Sequence, residues 1–327
     1  MQLNSNILLT FDNVLGKRYR SFYMGIAMLW IVGYHLYIHD AEFYNTQFKL
    51  MRTIFKYGYV GVDMFFFFSA FGLCYSYQKN SLKEFYKKRV IRIIPLYLLF
   101  EIVKFCIGTS ETLPTFCYHR FLEITSLFIF QTPFTCPDEI RLAWFVPSII
   151  NLYLIFPLLF KGIRYLYFKN LRIQIIFIIL LFFCCHFLFG IIHGLYISRV
   201  PLICVGIFTF FYLKSKRYSD LFLMYALFAS LTFFIDRNNL RLSCLVPIIL
   251  YAISMTPPQL TVRIVKGISK VGEMSFEVFL AHIYVGLYCP LNSSVLRTWL
   301  IVLLGTFSLS IVLHFVNKKI SSFLKTW

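Results

Sequence analysis

A chain of 327 residues that is 59% hydrophobic, 14% charged and has a mean hydropathy of +0.72 departs far from a soluble domain, which carries about 45–50% apolar and about 25% charged residues. Its 39 Phe and 22 Tyr belong in a bilayer, and the composition excludes a disordered, collagen-like or disulfide-stapled protein. The net charge of +18 does not indicate nucleic acid, because the basic residues fall in short clusters between long apolar runs rather than on one face interleaved with aromatics.

A spanning helix takes about 20 mainly apolar residues. Ten stretches qualify in chain order: about 21–38, 57–77, 93–110, 142–160, 173–195, 197–213, 219–235, 240–256, 271–290 and 296–315. The first follows Lys17, Arg18 and Arg20 with no small-residue cleavage site after it, so it reads as a retained signal anchor. The sixth is short and holds Pro201. With the N-terminus in the cytoplasm, 22 of the 32 Lys and Arg fall inside, as the positive-inside rule asks. Asp40, Glu42, Glu111, Glu123, Asp138, Glu139 and Asp236 collect outside. There is no linker and no internal repeat. The expectation is an all-α integral membrane protein of about ten transmembrane helices, both termini cytoplasmic, forming a single domain over 1–327.

The longest stretch between spans, 111–141, lies outside, and its RFLEITSLFIF segment suits an amphipathic helix on the membrane surface. Cys117 and Cys136 share that stretch and would bridge in an oxidising compartment. Most of the nine Cys sit in apolar runs as small hydrophobes, and no spacing fits a zinc site.

Ionisable groups inside a bilayer are costly, so each is a functional candidate by default. His35 and His39 lie four apart on one helix face, with Asp40 next. The group lacks a further strong ligand, and no metal is expected. A neutral imidazole in an apolar setting suits a general base, and suits equally a His hydrogen-bonded between helices. In YGYVGVDMFFFFSAFG (57–72), Gly58 and Gly61 permit close helix packing, and Asp63 must face protein or water. In EFYKKRVIRIIPLY (84–97), Arg89 and Arg92 are three apart on one face. They are either an interfacial anchor or a phosphate-binding pair. Pro95 falls in the first turn of the predicted third span, where its missing N–H costs little. Trp144 and Tyr153 suit an aromatic belt. Glu273, Ser275, Glu277 and His282 line one helix, with His282 five beyond Glu277 and so not bound to share its face.

Taken in this order, these segments resemble the acyltransferase-3 family of membrane O-acyltransferases. MGIAMLWIVGYH is similar to that family's first motif, which ends in an essential His. YGYVGVDMFFFFSAFG resembles its G-x-x-G-V-D-hydrophobic-F-F-x-x-S-G-F signature, KKRVIRIIPLY its R-x-x-R-x-x-P element, WFVPSIINLYLIFP its W…Y-x-x-x-P element, and SFEVFLAH its closing S-x-x-x-Y-L-x-H motif. The resemblance covers essentially the whole chain. It implies a ten-helix fold and transfer of an acetyl or short acyl group to a sugar hydroxyl. It makes His35 the catalytic candidate and Arg89 and Arg92 donor-side residues, with Asp63, Ser69, Trp144 and His282 as further site candidates. The implied donor is cytoplasmic acyl-CoA, used as a substrate and not as a resident cofactor. The implied acceptor is a surface glycan or its lipid-linked precursor, and the implied location a bacterial cytoplasmic membrane.

Three positions depart from the family pattern. Met24 stands where many members carry Arg or Lys, Ala70 replaces the Gly of S-G-F, and Ile149 replaces the Glu that some subgroups place after the Trp. Loss of the cation at Met24 leaves Arg20, one turn further out, as a substitute beside the thioester. Two other readings stand beside the enzyme: an exporter of a glycan or small anion, and a degenerate family member serving in an assembly.

Overall fold

A computed structural model describes residues 17–39, 49–108, 112–125, 144–192, 197–235, 262–288 and 295–325. Among these the elements are helices α1 (Lys17–His39), α2 (Lys49–Lys56), α3 (Val60–Lys79), α4 (Leu82–Gly108), α5 (Leu113–Ile124), α6 (Phe145–Tyr167) and α7 (Leu171–Ile192). A 3-10 turn (Ile197–Arg199) leads into α8 (Val200–Lys214), followed by α9 (Tyr218–Ile235), α10 (Val262–Glu273), α11 (Ser275–Tyr288) and α12 (Val295–Lys325). No strand occurs among the described residues.

Six of these helices are long and apolar enough to cross a membrane, over Arg20–Ile38, Val60–Lys79, Phe145–Tyr167, Leu171–Leu188, Ile197–Lys214 and Leu300–Leu324. Two expected spans, 219–235 and 271–290, correspond to the shorter apolar helices Tyr218–Phe233 and Ser275–Val285. The expected 93–110 span is the second part of α4, whose apolar stretch carries Arg92, Glu101 and Lys104. The expected 240–256 span, Asp40 and Cys136 lie outside the described residues.

The chain divides into two compact units. The first comprises Met1–Phe68 and Tyr225–His314. Here α1 is packed at backbone distance. Cβ atoms added at Gly25 or Gly272 would collide with the α1–α10 crossing, and one at Gly61 would meet the Ala27 carbonyl oxygen at 2.5 Å. Glycine is required at these contacts because any side chain would hold the backbones apart. Trp30 Nε1 donates to the Ile54 carbonyl oxygen at 2.6 Å and fixes α2 against α1. Phe65, Phe66, Phe67 and Phe68 are all buried, and Tyr23 stacks on Phe68 with ring centroids 5.0 Å apart.

The second unit comprises Ser69–Met224 and Phe315–Trp327. Its core is a ladder of rings: Tyr77 meets Phe85, Phe156 and Phe160 edge-on, and Phe211 lies against Phe160 and Tyr167. A polar latch closes one end. Gln174 Nε2 donates to the carbonyls of Tyr167 and Lys169, both at 3.0 Å, while its Oε1 accepts from the Tyr212 hydroxyl.

α4 starts thirteen residues before Pro95, at Leu82, where Ser81 Oγ accepts from the Glu84 amide at 3.2 Å. Pro95 therefore stands inside a continuous helix and not in a first turn, at the cost of one intrahelical hydrogen bond. The basic stretch before it was expected as a loop, but its residues are good helix formers with a capping Ser.

Of the expected amphipathic segment RFLEITSLFIF only residues 120–125 are described, and they close α5, which buries apolar Phe116 and Leu122 together with charged side chains. It buries Arg120 and Glu123 and exposes Leu113, Tyr118 and Phe121. Arg120 forms ion pairs with Glu101 of α4 and, through Nε at 2.8 Å, with Glu123. Glu123 also accepts from the Tyr97 hydroxyl.

Candidate active site

Two of the sequence-predicted residues meet in the first unit. The His35 ring on α1 lies edge-to-face against the His282 ring on α11, with centroids 4.9 Å apart and planes at 63°. His282 is 3% exposed and His35 is half-buried. Each ring turns Nδ1 toward its own helix: His35 Nδ1 is 3.0 Å from the Ile31 carbonyl oxygen and His282 Nδ1 is 3.2 Å from that of Val278. A carbonyl oxygen only accepts, so Nδ1 carries the proton in both neutral rings and Nε2 keeps its lone pair. His282 Nε2 is buried with no hydrogen-bond partner among the described residues. Tyr34 packs edge-on against His35 at 5.4 Å and against Tyr59 at 5.7 Å, and Phe279 packs on His282 at 5.4 Å. The result is a tautomer-fixed imidazole pair in an aromatic enclosure.

Asp63 is fully buried in the first turn of α3, where the helix dipole favours a carboxylate. Met24 is buried on α1, and Arg20 is half-buried one turn earlier. Glu277, near the start of α11, is buried and 3.3 Å from His314 Nδ1 on α12. His314 was missed in the sequence, although the signal was there: it is an ionisable residue within an apolar run, as His35 is. Glu277 and His282 turn to different partners, as their spacing of five allows.

The remaining candidates lie in the second unit and are described by themselves. Ser69 is buried on α3. Trp144, at the start of α6, lies under the guanidinium of Arg199 at 5.1 Å. Arg199 is itself buried and was not singled out in the sequence. Arg89 is half-buried on α4, with its guanidinium 4.4 Å from the Phe85 ring centroid and Nη1 donating to the Phe85 carbonyl oxygen at 3.4 Å. Burial holds Arg89 below the ordinary guanidinium range; the Tyr153 phenol opposes that, and the neighbouring Arg92 charge adds to it. Arg92 is exposed. The two arginines thus differ in setting: one braces a ring, and the other reaches solvent.

A family model described as an acyltransferase domain matches residues 25–315, which is most of the chain. The chain belongs to the acyltransferase-3 family. No curated protein and no solved structure matches it. Membership makes the protein an acyltransferase of a membrane family, in agreement with the apolar helices. Within this acyltransferase-3 chain, the first and last motifs bring two histidines together, His35 and His282.

Proposed function

We propose that this acyltransferase-3 protein is a membrane O-acyltransferase that moves an acetyl or short acyl group from cytoplasmic acyl-CoA to a hydroxyl of a surface glycan or its lipid-linked precursor. The observation that carries the reading is the His35–His282 contact, which leaves a lone pair on Nε2 of a half-buried ring. In the reaction, His35 Nε2 takes the proton of the acceptor hydroxyl as its oxygen attacks the thioester carbonyl. The carbon–sulfur bond breaks, the CoA thiolate leaves, and it takes the proton from the imidazolium. A general base of this kind contributes about 10²–10⁴ in rate. His282 holds the ring of His35 in place, and its own neutral, buried state avoids a second positive charge beside the imidazolium. Arg89 and Arg92 serve the anionic donor at the cytoplasmic end of α4. The arrangement in the membrane is ten spanning helices with both termini in the cytoplasm of a bacterial cell, which supports donor delivery from inside.

The test is transfer from labelled acetyl-CoA in inside-out vesicles, with mass spectrometry of surface glycans from the parent and deletion strains. His35→Ala should abolish transfer while the protein inserts normally, whereas His39→Ala should cost much less. Near-wild-type acylation by His35→Ala sinks the catalytic assignment. Loss of the whole glycan in the deletion strain, instead of its acyl group alone, indicates export.

A further inference from the structure

The short turn between α6 and α7 carries charge that nothing in the chain answers. Lys161, Arg164, Lys169 and Arg172 are all exposed there, and no acidic residue occurs between Glu139 and Asp220. The Lys161 ammonium and the Arg172 guanidinium have no hydrogen-bond or ion-pair partner among the described residues. Two large rings stand beside the cations: Tyr165 is 64% exposed and Phe168 73%. Lys169 Nζ lies 4.7 Å from the Tyr165 ring centroid, so charge and ring share one surface. Lys161 precedes Tyr165 by four residues and therefore lies on the same face of α6.

The turn is braced. Asn170 Oδ1 accepts from the Ile173 amide at 3.0 Å and starts α7. The Lys169 amide donates to the Leu166 carbonyl at 2.9 Å, and buried Gln174 donates to the carbonyls of Tyr167 and Lys169. A ligand meeting such a backbone finds little chain entropy left to remove. Both flanking helices are long and apolar enough to cross a membrane, and only Phe168, Lys169 and Asn170 separate them. The turn is thus within reach of the layer where acyl chains give way to headgroups, which is where aromatic side chains collect and where lipid phosphates lie. A water-borne acidic partner would match the cations but would leave two bare rings at the hydrocarbon edge without a reason.

We propose that the α6–α7 turn is a binding site for an anionic phospholipid headgroup, its phosphate against Lys169 and Arg172 and its glycerol and first acyl carbons against Tyr165 and Phe168. Lys161 and Arg164 add to the positive field around it. A basic residue beside an anionic lipid surface contributes about fivefold in affinity. The site needs neither His35 nor acyl transfer.

The experiment titrates phosphatidylglycerol and, separately, phosphatidylcholine onto the full-length protein in a nonionic detergent, with native mass spectrometry counting the retained lipids. Phosphatidylglycerol is expected to fill one tight site that phosphatidylcholine does not fill. Lys169→Gln and Arg172→Gln should each weaken it about fivefold, and the double variant about 25-fold. Phe168→Ala should weaken it less, and Lys169→Arg should bind as the parent does. Unchanged thermal stability in lipid-free detergent confirms that each variant folds. Lys266→Gln, which removes an exposed cation on α10 of the other unit, measures the effect of overall charge and should leave the site intact. Equal retention of the two lipids, parent-like binding by both single variants, or an equal loss in Lys266→Gln overturns the proposal. Glycerol 1-phosphate competing as well as the lipid makes the occupant a soluble phosphate ester, and displacement by a polyglutamate peptide makes it an acidic protein; either result overturns it too.

Discussion

Two glycines five residues apart on α10 should respond to the same substitution with opposite signs. A methyl at Gly272 would come within 2.7 Å of the Ser21 carbonyl carbon and of the Gly25 amide nitrogen, whereas ordinary contact begins at 3.4 Å. The Ser21 carbonyl oxygen would be closer still, so the backbones of α1 and α10 must part by well over ~0.7 Å. A gap of about 0.5–1 Å forfeits about a quarter to a half of each dispersion contact along the crossing, and overpacking typically costs about 1–3 kcal/mol. Gly25 gives no relief, since a Cβ there would be 2.8 Å from Ile268 Cγ2. Gly267 meets nothing within 4 Å, so alanine there only removes backbone freedom from the unfolded chain and stabilises by about 0.5–1 kcal/mol. Thermal unfolding of the purified protein in one detergent, followed by Trp fluorescence, should place Gly272→Ala well below the parent and Gly267→Ala slightly above it. Because α1 carries His35, Gly272→Ala should also lower transfer by about 10²-fold, the penalty of a misplacement near 1 Å. Equal melting temperatures for the two variants would refute the backbone-contact argument.

Reporter fusions after residues 80, 165, 215 and 265 should score cytoplasmic, and those after 45, 125 and 238 external, because basic residues segregate better than two to one; an external score at 80 breaks that topology. Arg92→Lys should raise KM for acyl-CoA modestly and Arg92→Glu severely, with kcat largely kept, since phosphate contacts remote from the thioester act alike in ground and transition states. Unchanged CoA affinity in a correctly inserted Arg92→Glu protein leaves Arg92 as an anchor. Glu277→Gln and His314→Gln should each destabilise the first unit, with a coupling of about 0.5–3 kcal/mol between them in a double-mutant cycle; strict additivity would mean that the 3.3 Å pair contributes nothing.

The membrane class and the helical character were legible from composition alone, because apolar content on this scale has no soluble solution. Boundaries failed where chemistry was mixed. The charged run from Leu82 to Arg92 reads as a loop on hydropathy, yet its capping Ser and good helix formers carry α4 through it. The sequence offers His35 and His282 singly. Their contact depends on the crossing of α1 and α11, which no local spacing encodes. The glycines of YGYVGVD were legible as packing residues, and the structure gives them that part against Trp30 and Ala27. Arg120 and Glu123 were invisible as a cluster because their third partner, Glu101, belongs to another helix.

The burial of both α5 charges has a practical corollary for anyone raising binders or placing tags. A helix that hides Arg120 and Glu123 while showing Leu113, Tyr118 and Phe121 makes a poor epitope, since it offers a binder no exposed charged side chain. The turn at Lys216 is the better handle. Its exposed side chain rises from a left-handed backbone (φ 58°), a compact and well-defined shape. It offers imaging reagents a well-defined handle on the second unit.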